Sequence, residues 1–132
     1  MKFDYKRYGQ TLRPVMPIKL LGSNGPIGYE VLVDSGADMC IFHAEIGEAL
    51  GIDIKKGKPR EVFGVGGKSS IYYLHTVTIE VGGWEYEIEG GFMSDVSGRI
   101  MPYGIVGQRG FFSNFIIKFD LAKEEIELKK RA

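Results

Sequence analysis

The most informative segment of the chain reads Val31-Leu32-Val33-Asp34-Ser35-Gly36-Ala37-Asp38. Its apolar, β-branched start predicts a buried strand that delivers an acidic residue directly into a tight turn. Gly36 allows a close backbone approach or an unusual φ, while Ser35 places a hydroxyl beside the acid. Taken alone, the tripeptide Asp34-Ser35-Gly36 also fits an ordinary turn, in which the carboxylate accepts hydrogen bonds from nearby backbone N–H groups.

Two later segments carry further signals. In one, the β-branched residues Ile105 and Val106 run into Gly107, which predicts a buried strand end followed by a turn or a short helix. The other, Val62 to Ser70, is rich in glycine and invites comparison with a phosphate-binding loop. That motif would need its first glycine where Val62 stands and a helix after it, whereas residues 71–77 predict a strand. A glycine-rich hairpin fits this segment better than a nucleotide site.

Length and composition exclude several classes of function. The length of 132 residues fits a single domain spanning 1–132. Because 17 basic residues balance 17 acidic ones, bulk charge gives no support to a nucleic-acid partner. No apolar run reaches the roughly 18 residues that a membrane span needs, and no signal core follows the charged N-terminus, so we expect a cytoplasmic protein without a membrane partner. The single cysteine, Cys40, excludes an internal disulfide and a zinc site built on several thiolates.

The remaining patterns predict short strands and one helix. Apolar or alternating runs predict strands at 15–21, 29–33, 71–81, 84–89, 115–119 and 126–128, with Gly82-Gly83 as a hairpin turn. The apolar spacing from Ile41 to Leu50 predicts the helix. Together these elements predict a mainly β barrel or sandwich.

Other candidate groups have simpler interpretations. Cys40 with His43 or His75 would be a Cys–His pair, although a cysteine that opens an apolar segment is more typical of a buried small hydrophobe. Trp84 and the pair Phe111-Phe112 are predicted to lie in the core.

Taken together and in this order, the three segments resemble the retropepsin-like aspartic proteases. The resemblance covers about residues 15–120, and it is closer to cellular, prokaryote-type members than to viral ones. It implies a closed or partly open β-barrel with one short helix. It also implies hydrolysis of peptide bonds in a peptide or protein substrate, with no metal and no cofactor.

The resemblance implies a role for each matching residue. Asp34 resembles the catalytic aspartate, and Ser35 resembles the hydroxyl residue that braces the active-site loop against the partner subunit. Gly36 resembles the glycine that borders the substrate. Ala37 and Asp38 resemble the positions beside the substrate main chain, Gly64, Val65, Gly66 and Gly67 resemble the flap tip, and Ile105, Val106 and Gly107 resemble the segment packed beneath the catalytic loop.

One position departs from the viral pattern. Retroviral members often carry an arginine directly after the last glycine, paired with the acid that matches Asp38. Here Gln108 stands at that position and Arg109 follows it. The sequence leaves open which of the two braces Asp38.

The chemistry predicts a homodimer. Hydrolysis by this route needs two carboxyl groups around one water, but the chain carries a single Asp-Ser-Gly motif. A two-fold axis would bring Asp34 of each subunit face to face. The alternative is a non-catalytic peptide-binding or assembly domain on the same fold. Residues 1–13 could form an arm, a dimer strand or a removable piece.

Overall fold

The structure is a computed structural model that describes residues 1–63, 69–94 and 102–131. Its helical elements are α1 (Ala44–Ala49), a 3-10 turn (Ile54–Lys56) and a kinked helical turn (Gln108–Phe112). The strands are β1 (Lys2–Asp4), β2 (Lys6–Tyr8), β3 (Thr11–Arg13), β4 (Val15–Leu21), β5 (Ile27–Val33), β6 (Cys40–His43), β7 (Lys58–Phe63), β8 (Ser69–Val81), β9 (Trp84–Met93), β10 (Gly104–Val106), β11 (Phe115–Asp120) and β12 (Glu125–Lys130).

Six strands close into a barrel. They follow the order β4-β5-β10-β6-β9-β8, and β8 pairs back onto β4, so the sheet has no open edge within this ring. Alternate side chains of the strands face one core: in β8, Val77, Ile79 and Val81 are buried while the residues between them are not. The prediction of a mainly β barrel with one short α-helix is therefore confirmed.

A second, three-stranded sheet packs under the barrel. Its order is β1-β12-β11, and all its pairs are antiparallel. Ile126 and Leu128 of β12 are buried and extend the core, together with Phe111 and Phe115. The remaining part of residues 1–13 forms the small hairpin of β2 and β3.

The helix is shorter than predicted. The expectation of a helix from Ile41 to Leu50 is wrong in its first part, because Cys40–His43 is strand β6 and the helix begins at Ala44. This strand lies between β9 and β10, and Gly90 stands opposite it without a side chain. A Cβ at Gly90 would lie 2.8 Å from the ring of Phe42, so the missing side chain makes room for that ring. Pairing with two neighbouring strands therefore outweighs the local helical pattern.

One predicted core residue lies at the surface. Phe111 is fully buried and Phe112 is half-buried, whereas Trp84 is 54% exposed at the β8–β9 turn. The ammonium of Lys130 lies 3.9 Å from the centre of the Trp84 ring, which gives this aromatic group a cationic partner outside the core. In the three described ranges, no helix has the length and hydrophobicity for a membrane crossing.

Candidate active site

The loop after β5, residues 34–38, is called the Asp34 loop and is anchored where three strands meet. Strand β10 lies beside β5 in parallel register, with Val106 opposite Val33. The N–H of Asp34 donates to the carbonyl of Val106 at 3.0 Å, and the N–H of Val33 donates to the carbonyl of Pro14 at 2.9 Å. Hydrogen bonds to Pro14 and Val106 therefore hold the backbone of Val33 and Asp34, respectively, while Asp34 remains half-buried.

The loop also folds on itself. The N–H of Gly36 donates to Oδ1 of Asp34 at 2.9 Å, and the N–H of Ala37 donates to the Asp34 carbonyl at 3.2 Å. These are the hydrogen bonds that the ordinary-turn interpretation requires, and they also fix the direction of the carboxylate. A Cβ at Gly36 would lie 3.3 Å from Asp34 Oδ1, so glycine keeps the space beside this oxygen open.

The segment after β10 packs directly beneath the loop. A Cβ at Gly107 would lie 2.5 Å from the carbonyl oxygens of both Ala37 and Met39. Only a residue without a side chain allows this backbone-to-backbone contact. The structure thus places Val106 and Gly107 against the Asp34 loop, and Ile105 lies beside Leu32 and Ile41 in the same sheet.

Most carbonyl groups of the loop are occupied. Besides the carbonyl of Asp34, that of Ala37 accepts from the N–H of Gln108 at 2.8 Å, and that of Asp38 accepts from the N–H of Arg109 at 2.9 Å. The side-chain amide of Gln108 donates to the carbonyl of Ser35 at 2.7 Å. Across the described residues, the Gly36 carbonyl is the one in this turn that accepts no hydrogen bond, and Gly36 is exposed. A bound peptide could therefore donate an N–H to it.

The loop separates two depressions. A cleft of about 900 Å³ lies on the side of Gly36, Ala37 and Asp38. Its apolar lining is Met39, Ile41, Val62, Tyr72, Met93 and Ile105. A smaller depression of about 390 Å³ lies on the side of Asp34 and Ser35, and Tyr5 and Phe119 form part of its wall. Residues 36–38 thus line the larger cleft, whereas Asp34 and Ser35 line the smaller depression.

Arg109 and Gln108 contact the loop, but neither side chain pairs with Asp38. Within residues 1–63, 69–94 and 102–131, no ion pair joins Asp38 to an arginine. Asp38 is held through its backbone carbonyl, and its exposed side chain faces the larger cleft. The arginine brace of the retroviral pattern is therefore absent from this part of the structure.

The predicted flap is described only at its base. Strands β7 and β8 pair antiparallel up to Phe63 opposite Ser69. Gly64, Val65, Gly66 and Gly67 lie outside the described residues. Strand β8 begins at Ser69, which confirms the predicted strand at the position where a Walker-type loop would be followed by a helix.

The Cys–His alternative is not supported. Cys40 is fully buried, and its thiol donates to the carbonyl of Arg109 at 3.3 Å. Burial raises the pKa of this thiol to about 11, so it is not a thiolate at neutral pH. His43 caps helix α1, where its Nδ1 accepts from the N–H of Glu45, and the Nε2 of His75 lies 2.7 Å from the Ile54 carbonyl. In the described part of the chain, no three His, Cys, Asp or Glu side chains form a metal-binding cluster.

The family profile described as Aspartyl protease matches residues 16–108, which is well over half of the chain. The chain belongs to the aspartyl protease family. The matched range contains the Asp34 loop, the paired strands β7 and β8, and Gly107. A search of curated protein sequences gave no match for this aspartyl protease family member.

Solved structures establish the retropepsin-like fold of this family member. A retropepsin-like aspartic protease from Rickettsia conorii shares 18% identity with a TM-score of 0.68, over 96% of this chain and 97% of that one. The retroviral protease-like domain of Ddi1 from Leishmania major shares 17% identity with a TM-score of 0.62, over 88% and 87% of the two chains. EIAV protease complexed with the inhibitor HBY-793 shares 22% identity with a TM-score of 0.55, over 78% and 88%.

Sequence reasoning missed two features of the site. The hydrogen bond from Gln108 to the Ser35 carbonyl joins residues 73 positions apart, and no local pattern signals it. The apolar wall of the larger cleft draws on β7, β8 and β9, which are brought together only by the barrel. The alternation along β8 could have shown that Tyr72 shares a face with Leu74, but not that this face meets the Asp34 loop.

Proposed function

We propose that this chain is an aspartic endopeptidase in which a homodimer pairs two copies of Asp34 around one water. The observation that carries the proposal is the Asp34 loop itself. Its carboxylate is half-exposed and oriented by the Gly36 N–H, and its backbone is held against Gly107. The nearby Gly36 carbonyl is free to accept from a substrate main chain.

The reaction needs a second carboxyl group. One ionised carboxylate removes a proton from the water, while a protonated carboxyl donates a hydrogen bond to the scissile carbonyl. The water oxygen bonds to the carbonyl carbon, the C–N bond breaks, and the proton passes to the leaving nitrogen. Two carboxyl groups held a few ångströms apart share one proton, because both cannot ionise easily.

The second carboxyl is best supplied by another copy of the chain. Asp38 faces the larger cleft, whereas Asp34 and Ser35 line the smaller depression. Phe119, which is 40% exposed, adds an apolar wall to that depression. A two-fold related copy seated there would cover Phe119, offer a partner for the exposed Ser35 hydroxyl and bring the two Asp34 side chains together.

The substrate would lie in the larger cleft as an extended peptide. Main-chain hydrogen bonds, including one to the Gly36 carbonyl, would supply affinity. The apolar lining, to which Tyr72 and Met93 contribute, favours apolar side chains near the cleaved bond.

Substitution of the acid tests the proposal. Asp34→Asn removes the only carboxyl that the motif supplies, so cleavage of an unfolded protein substrate should fall by at least about a thousandfold. The matched control is Asp53→Asn, because Asp53 is exposed beside the 3-10 turn and forms a 3.7 Å surface ion pair with Lys56. This control should keep wild-type activity, and both variants should keep the wild-type melting temperature within about 2 °C.

Two outcomes would contradict the proposal. Full activity of Asp34→Asn would show that this residue is not the catalyst. A wild-type dimer that binds peptides but does not cleave them, over a range of pH and concentration, would favour the non-catalytic peptide-binding alternative.

A further inference from the structure

We propose that Gln108 is a positioning residue, which orients the Asp34 carboxylate through the peptide group between Ser35 and Gly36. The expected effect on kcat rests on the proposed function, whereas the expected effect on the Gly36 amide does not. Gln108 stands at the position where retroviral members often carry an arginine. That arginine pairs with the acid that matches Asp38, whereas the Gln108 side chain contacts the Ser35 carbonyl.

The peptide group between Ser35 and Gly36 is held at both ends. Its carbonyl oxygen accepts from Nε2 of Gln108 at 2.7 Å, and its N–H donates to Oδ1 of Asp34 at 2.9 Å. Because a peptide group is planar, these two hydrogen bonds fix one rigid unit. Rotation of that unit would break both bonds, so the Gln108 side chain controls the donor that faces the carboxylate.

The two bonds also strengthen one another. A hydrogen bond accepted by a peptide carbonyl polarises the N–H of the same peptide group, which makes that N–H a better donor. The Gly36 N–H is therefore a stronger donor to Oδ1 of Asp34 when Gln108 is in place.

The backbone of Gln108 is already fixed next to the loop. Its own N–H donates to the Ala37 carbonyl at 2.8 Å, and Gly107 before it contacts the loop backbone. The backbone therefore brings the side chain next to Ser35, and the remaining cost of the contact is the rotamer freedom of the Gln108 side chain. Since a carbonyl oxygen can only accept, the contact requires an N–H donor at the end of this side chain.

Three variants test the role. Gln108→Met keeps the length of the side chain but removes the donor, and Gln108→Glu places an acceptor against the Ser35 carbonyl. The matched control is Gln10→Met, because Gln10 is the only other glutamine in the chain and is exposed in the β2–β3 turn. Activity of each variant on one peptide substrate is measured as kcat and KM across pH, with folding checked by thermal unfolding.

The expected kinetic result is a fall in kcat with little change in KM. Loss of one hydrogen bond corresponds to a fall in kcat of about 2- to 12-fold for Gln108→Met. A change in KM alone would show that Gln108 merely lines the cleft, and wild-type kcat would overturn the proposal.

A second readout does not depend on catalysis. In a ¹⁵N-labelled chain, the Gly36 amide proton of Gln108→Met should shift upfield and exchange faster with solvent, while Gln10→Met leaves it unchanged. An unchanged Gly36 resonance would overturn the proposal even if the chain proves inactive. If the wild-type chain is inactive but Gln108→Met shows the expected Gly36 shift, the proposed function is refuted and the positioning role stands.

Discussion

Substitution of Gly107 by alanine would test how rigidly the loop is held. The added Cβ would lie 2.5 Å from the carbonyl oxygens of Ala37 and Met39, closer than van der Waals contact allows. Both groups are backbone, so no side chain can rotate away. The backbone of Gly107 itself is extended, with φ −124° and ψ −159°, a conformation that alanine adopts without strain. Any effect therefore comes from the contact.

The size of the effect follows from what must move. Overpacking of this kind costs about 1–3 kcal/mol of unfolding free energy. Displacement of the loop would also weaken the bonds from the N–H groups of Gln108 and Arg109 to the Ala37 and Asp38 carbonyls, each worth about 0.5–1.5 kcal/mol. If both bonds are lost, we expect a total loss of about 2–6 kcal/mol, or a fall in melting temperature of roughly 4 °C for each kcal/mol.

The assay pairs stability with activity. Urea unfolding of Gly107→Ala and wild type at one protein concentration gives the loss of free energy, and peptide hydrolysis gives the loss of rate. The matched control is Gly28→Ala, because Gly28 lies in β5 and a Cβ there would have no atom within 4 Å. We expect this control to be neutral or slightly stabilising.

A stable and fully active Gly107→Ala variant would contradict this prediction. If Gly107→Ala unfolds within about 0.5 kcal/mol of the control and cleaves at the wild-type rate, the close packing beneath the Asp34 loop is not a structural requirement.

Two further predictions concern Cys40 and the proposed dimer surface. Burial raises the pKa of the Cys40 thiol from 9.0 to about 11, so the thiol ionises in the unfolded chain first and wild type should lose about 2–3 kcal/mol of stability between these pH values. Urea unfolding at pH 8 and pH 11 checks this, and a pH slope equal to that of Cys40→Ala would contradict it. Phe119→Lys places a charge in the depression beside Asp34 and should raise the dimer dissociation constant at least about tenfold, measured by sedimentation and by activity on dilution. Ile116→Lys, on the opposite face of the same strand and 51% exposed, is its comparison, and an equal effect of both would argue against that depression as the interface.

Several elements could be read from neighbouring residues alone. The apolar run before Asp34 predicted β5, and the alternation of Val77, Ile79 and Val81 predicted β8. Gly82 and Gly83 predicted the hairpin between β8 and β9, and both adopt positive φ, at 58° and 89°. Each of these signals depends on side-chain periodicity or on the backbone freedom of glycine, which act over a few residues.

Other features depend on residues that are distant in sequence. Residues 41–43 fall within the predicted helix, yet they belong to strand β6 because β9 and β10 offer backbone partners on both sides. Trp84 is apolar, yet it lies outside the core with Lys130 against its ring. In both cases, residues distant in sequence supply interactions that outweigh the secondary-structure or burial preference of the local segment.

The same division applies to the site. Local patterns are enough to predict that a buried strand presents Asp34 in a turn with Ser35 and Gly36, because strand periodicity and turn chemistry act over a few residues. The contact of Gly107 with Ala37 and the hydrogen bond from Gln108 to the Ser35 carbonyl, 73 residues away, can be seen only in the folded chain. These contacts form where the barrel brings β5 and β10 side by side, and a hydrogen bond between distant residues leaves no periodic trace in the chain.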